Sequence, residues 1–189
     1  MAFDERVREE IVVRLERNED PAAVFMAYAD NAPGWGIEIS NQFRIDFSRT
    51  ALGPRLPSHA PDEWEARQLA TLSFLMDAGL DPDLFEVSEI TKEGDETVFR
   101  WMRPLRMTDT CLACHGEDIA PSVQRLLGQE YPLDEAAGYA EGQIGGAYSV
   151  RKVLRVRDSP APAWTPLDPP ELKPPDPSTG ERAPPVSPL

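Results

Sequence analysis

Long apolar runs are missing from this chain. No segment of its 189 residues approaches the roughly 20 consecutive apolar residues that a membrane-spanning helix requires. The opening Met1-Ala2-Phe3-Asp4-Glu5-Arg6 likewise lacks the apolar stretch of a secretion signal. Positive charge is in short supply: 19 lysines and arginines stand against 33 aspartates and glutamates, a formal net charge of −14. That balance argues against binding to nucleic acid or to anionic membrane surfaces, and it favours solubility and docking to basic partner surfaces. Cysteine and histidine are rarer still, with two of each. A closed structural zinc site usually takes four such ligands. Catalytic triads, phosphate loops and paired-carboxylate motifs do not stand out either, so no enzymatic activity is expected, and the many acidic residues read as solvated faces.

What the chain does hold is Thr110-Cys111-Leu112-Ala113-Cys114-His115-Gly116. Two cysteines separated by two residues, with a histidine directly after the second, form the attachment signature of c-type haem. The spacing has a mechanical reason. On one turn of chain, Cys111 and Cys114 reach the two vinyl groups on one edge of a porphyrin, and His115 is held under the ring as the proximal iron ligand. Zinc is the competing reading of Cys111, Cys114 and His115, but the remaining histidine, His59, is far away in sequence. A thioredoxin-like dithiol would sit where a strand feeds a helix in a parallel sheet, and that context is not found nearby. Covalent haem attachment normally follows export. The expectation is therefore a periplasmic or other extracytoplasmic protein, with a signal or anchor upstream of Met1.

Periodicity sketches the elements. Phe3, Val7, Ile11 and Leu15 recur at four-residue steps and predict a helix from about Phe3 to Arg17. Asp20-Pro21 reads as a cap and first position of a second helix, ending near Ala32-Pro33-Gly34, with Trp35, Ile37 and Ile39 as a short helical piece. Alternation of Phe43, Ile45 and Phe47 with Arg44, Asp46 and Ser48 predicts a strand. A helix over about Pro61–Ala78 has Trp64, Leu69, Leu72, Leu75 and Met76 on its apolar face and Gly79 as its stop. A hairpin over about Leu84–Ile90 and Thr97–Arg103 turns at Glu93-Gly94-Asp95. A short helix over Ile119–Leu127 follows the haem segment, then a strand over about Gln143–Val150, whose Gly145-Gly146 suggests close approach of another backbone or a flat ligand. Strands separated by insertions in this way suggest an α+β antiparallel sheet.

Beyond Asp158 the composition shifts. Eleven of the 20 prolines lie between Ser159 and Leu189, which predicts an extended, polyproline-like tail following a haem domain over residues 1–158. At about 3.1 Å per residue the tail reaches on the order of 90 Å. With Trp164 and Leu172 as apolar anchors, it would suit docking to a partner.

Several stretches together resemble a known family, the PAS-like c-type haem domain, which occurs alone and as the extracytoplasmic sensor of bacterial signalling proteins. They are Ala22-Ala23-Val24 through Ala32-Pro33, Ser48-Arg49-Thr50-Ala51-Leu52, and Arg55-Leu56-Pro57-Ser58-His59-Ala60-Pro61-Asp62-Glu63-Trp64-Glu65. Arg103-Pro104-Leu105, Cys111 to Gly116, Tyr131-Pro132, Gly138-Tyr139, Gly142 and Gly146-Ala147 follow in order. The resemblance spans roughly residues 5–153 and leaves the proline tail unexplained. It implies a PAS-like antiparallel sheet flanked by helices, with haem held through Cys111 and Cys114 and ligated by His115. Two departures concern the distal side. Family members commonly carry a cysteine on the second helix at the position that is Tyr28 here, and a loop asparagine where this chain has His59.

The distal iron ligand is therefore open among this chain's own residues. His59 is the sharpest candidate, since a neutral imidazole binds either oxidation state of iron; otherwise it is a loop or helix-capping histidine. Tyr28 would ligate as a phenolate, and otherwise belongs to the core. Met26, Met102 and Met107 are thioether candidates, although methionines mostly fill gaps. An iron left open to small gases is the remaining option. Arg49 and Arg103 are candidate partners for haem propionates, and Trp101 and Phe99 for packing on the porphyrin. Three functions follow: a monohaem cytochrome transferring electrons within a larger membrane-associated redox complex, a haem-based redox or gas sensor, or a structural subunit with a vestigial haem.

Overall fold

Chain direction is set early by two backbone devices. Helical residues run from 2 to 16 as α1 (Ala2–Val7), a π-helical stretch (Arg8–Val13) and α2 (Arg14–Glu16). The run stops where Asn18 takes a left-handed φ of 57°. The Asp20 side chain then accepts from the Ala22 N–H and starts α3 (Pro21–Phe43) with proline in its first turn. The structure is a computed structural model and describes residues 2–154. The proline-rich tail, with Trp164 and Leu172, lies outside the described residues.

Helix α3 does not break at Pro33 as its sequence suggests. Proline removes one backbone donor, but the apolar stripe continues across it: Ala32 and Ile39 are buried with Phe3 and Tyr148, and Trp35 packs against them. That shared packing outweighs one lost hydrogen bond. The longer helix displaces the first strand. Phe43 ends α3, Arg44 caps it in the left-handed region, and β1 occupies Asp46–Thr50 instead of starting at Phe43.

The remaining elements are α4 (Glu63–Asp77), β2 (Val87–Glu93), β3 (Glu96–Arg106), α5 (Asp109–His115), α6 (Pro121–Glu130) and β4 (Ile144–Val153), with short 3-10 turns at Pro57–His59 and Pro82–Leu84. The four strands form one antiparallel sheet in the order β1-β4-β3-β2. The hairpin turns through Gly94-Asp95, with Glu93 opposite Glu96 and Gly94 at φ +60°. Helix α4 opens with a reciprocal capping box between Asp62 and Glu65.

Side-chain alternation sends the sheet's two faces to different helices. On one face Met102 and Ala147 meet Trp64, Leu69 and Leu72 of α4. On the other, Tyr148, Phe47, Trp101 and Leu105 meet Phe3, Ala32 and Ile39 from α1 and α3. A third cluster joins α3 to α6 through Phe25, Ile119, Val123 and Leu127. Arg100 enters the α4 side as a buried cation, 4.8 Å over the Trp64 ring and bonded to Asp62 at 2.6 Å and Glu93 at 3.0 Å. Leu69 is only 1 % exposed, so Leu69→Ala should lower unfolding free energy by about 2–5 kcal/mol. Urea denaturation should show a lower midpoint with an unchanged slope.

Candidate functional site

Helix α5 begins directly after β3, so the sheet delivers the Cys-His segment to one end of the fold. Cys111 and Cys114, three residues apart, share a helix face, and His115 is one turn on from Cys111. Both thiols are free; the Thr108 hydroxyl lies 3.2 Å from the Cys111 sulfur. Gly116 lets the chain leave the helix. A Cβ there would stand 2.7 Å from the Leu112 carbonyl oxygen, too close for any other residue.

His115 is oriented from behind. Its Nδ1 lies 2.7 Å from the Ala136 carbonyl oxygen. A carbonyl only accepts, so Nδ1 carries the proton and Nε2 keeps its lone pair free. Burial, reinforced by the Arg55 charge, pushes the His115 pKa down to about 4 against the opposing Ala136 hydrogen bond. The imidazole is neutral at neutral pH, the form that binds metals. Backbone bonds from Tyr139 to His115 (2.9 Å) and from Gly138 to Gly116 (3.1 Å) hold the 134–139 loop against the helix end. The Tyr139 ring meets the imidazole edge-on at 6.5 Å.

Arg55 clasps this arrangement, and no spacing in the sequence marks it for that role. Its Nε donates to Asp134 at 3.1 Å, while Nη2 donates to the Cys114 carbonyl at 2.6 Å and the Ala136 carbonyl at 3.3 Å. One guanidinium thereby joins the end of α5 to the carbonyl that orients His115. Burial, the dominant effect on Cys114, raises its thiol pKa.

These groups face a cavity of about 700 Å³, whose walls include Cys111, Cys114, His115, His59, Tyr28, Arg49 and Met107. Apolar surface comes from Val7, Ile11 and Leu15 of the N-terminal helical run and from Phe25 of α3. Gly145 and Gly146 line it from β4. At Gly146, with φ +149°, a Cβ would lie 2.4 Å from the Thr50 carbonyl oxygen, so this glycine serves the close approach of the β1 backbone.

The expected site residues separate into those the fold brings to the cavity and those it does not. Arg49 lies over the Phe3 and Tyr28 rings at 5.6 and 5.5 Å and donates to the Tyr28 hydroxyl. Among the described residues it has no carboxylate partner, so its charge is available to the cavity. Burial, with the Arg49 charge adding to it, lowers the His59 pKa, so this imidazole too is neutral. Arg103, Trp101 and Met26 are not among the residues that line the cavity. Arg103 sits over Tyr148 and binds Asp4. Trp101 packs in the α1/α3 cluster and donates to Glu86 at 3.2 Å. Met26 turns toward the α3–α6 cluster. Met102 is completely buried on the α4 face, and Phe99, on the opposite face, stands away from the cavity lining.

A four-stranded antiparallel sheet covered by helices, with a Cys-x-x-Cys-His helix at the wall of one large cavity, defines a cofactor-cavity protein. The model of the Tll0287-like family matches residues 2–152, and the chain belongs to that family. Among solved structures it is similar to the cyanobacterial haem protein Tll0287, at 26% identity and a TM-score of 0.53, over 66% of this chain and 72% of that one. No curated protein sequence matches.

Arg55 and Asp134 are each less than 15 % exposed at the side chain. Removing one member of such a pair strands the other, so Arg55→Ala should cost about 3 kcal/mol of stability by chemical denaturation. Thermal unfolding of Arg55→Ala beside Arg55→Lys checks that the loss follows from the forked contacts and not from charge alone.

Proposed function

We propose that this chain is a monohaem c-type cytochrome that transfers electrons from an extracytoplasmic position, as a subunit of a larger redox complex. The observation that carries the reading is the state of His115: half-buried, neutral, and bonded through Nδ1 to the Ala136 carbonyl, with two free thiols beside it on the wall of the cavity. That donor set fits haem. The cavity falls within the volume range of cofactor pockets and is mostly apolar-walled. The haem character of the solved relative supports the same reading.

When bound, haem supplies a one-electron change between ferric and ferrous iron. The chain's own residues do the rest. Cys111 and Cys114 would hold the ring, each by addition of its S–H across a vinyl double bond, which needs no oxidant. His115 would offer Nε2 to the iron, and the Ala136 carbonyl bonded to Nδ1 would make that imidazole a stronger donor. Arg49 would offer a cation to a haem propionate. Val7, Ile11, Leu15 and Phe25 line the cavity with apolar surface that would keep water from a bound haem and so tune its potential. No residues are assigned to an enzymatic reaction. Rapid carbon monoxide binding by the reduced protein would favour the alternative of a gas sensor.

Denaturing electrophoresis should leave haem stain on the polypeptide, and Cys111→Ser with Cys114→Ser should abolish it. Stoichiometric zinc without iron on metal analysis would overturn the haem reading. Truncation after Asp158 should keep the haem spectrum and release the chain from its complex; full co-purification of the truncated form would defeat docking through the tail.

A further inference from the structure

We propose that His59 supplies the second axial nitrogen to the haem iron, completing a bis-histidine centre with His115. The inference rests on the haem reading above and concerns which of this chain's own side chains completes the site.

Elimination among the candidate donors is done by packing. Met26 packs toward α6, and Met102 lies on the far face of the sheet against α4. Tyr28 lines the cavity, but its hydroxyl accepts from Arg49 and its ring is held between that guanidinium and Trp35. Met107 also lines the cavity, yet its side chain fills the space over Gly145, where a Cβ would stand 2.0 Å from the methionine methyl. Its backbone is bonded to Gln143 and Gly142, on the strand connection that feeds α5. Met107 therefore belongs to the proximal segment.

His59 differs on each count. It lines the same cavity as His115, and its imidazole has no hydrogen-bond partner among the described residues. Its backbone is fixed: the His59 N–H donates to Leu56 at 2.8 Å, and the His59 carbonyl accepts from Ala51 at 3.1 Å. The 3-10 turn Pro57–His59 is thus tied to the end of β1, with the imidazole as its free end. An imidazole without a protein partner among the described residues has no hydrogen bond to give up, and haem iron binds neutral imidazole in both oxidation states.

The test uses the full-length holoprotein. The near-infrared magnetic circular dichroism of the ferric, unsubstituted protein reports the axial pair directly and should show two nitrogens from imidazoles. His59→Ala should lose the low-spin ferrous spectrum and gain rapid carbon monoxide binding, with haem stain still on the polypeptide; added imidazole should restore the low-spin spectrum. Tyr28→Phe and Met107→Leu should leave the spectrum unchanged. A low-spin spectrum retained in His59→Ala, or lost in Tyr28→Phe or Met107→Leu, overturns the assignment of His59 alone. Unsubstituted protein without a haem signal in alkaline pyridine overturns the haem reading together with it.

Discussion

The pairing of β3 with β4 is the constraint on which the rest of this structure depends. In antiparallel register, Met102 lies opposite Ser149 and Pro104 opposite Ala147 on one face, while Trp101 lies opposite Val150 and Arg103 opposite Tyr148 on the other. Each face must be covered, because each carries buried apolar side chains. Helix α4 covers the first and the α1/α3 pair the second. The same two strands place the site: β3 runs directly into α5, and β4 brings Gly145-Gly146 alongside it. A one-residue slip would exchange the two faces and expose both cores.

The site itself is held by polar contacts reaching across long sequence separations. Arg55, Asp134, Ala136 and the end of α5 form one network, in which a single guanidinium joins two carbonyls and a carboxylate. Its effect on chemistry is indirect. By fixing the Ala136 carbonyl it fixes the tautomer of His115, and by adding positive charge beside a desolvated ring it keeps that ring neutral. Local density of positive charge on this side, from Arg49 and Arg55, contrasts with the −14 of the whole chain.

Much of this was legible beforehand where a local rule had no competitor. The Asp20-Pro21 start, the Gly94-Asp95 turn, the apolar stripe of α4 and the close approach at Gly146 each follow from one or two residues whose physics allows little else. Sequence and structure part where local and distant preferences conflict. Pro33 signals a break, but Ala32, Trp35 and Ile39 bury against Phe3 and Tyr148, so α3 continues and β1 begins later. Which face of a strand or helix meets the cavity is likewise decided by partners tens of residues away: Arg49 lines it, and Arg103, Trp101 and Met26 do not.

Sequence alone determined the chemistry offered: two thiols and an imidazole on one helical turn, because i, i+3 and i+4 spacing is a property of the helix and needs no partner. It also determined that only one other histidine exists. Tertiary structure alone decided which distant groups meet that turn. Arg55 reaches Cys114 and Ala136 across 59 and 81 residues, and His59 and Arg49 share a cavity with His115. Such proximity comes from how the sheet is covered and how the chain returns, and no spacing rule encodes a contact whose partners are brought together only by the core.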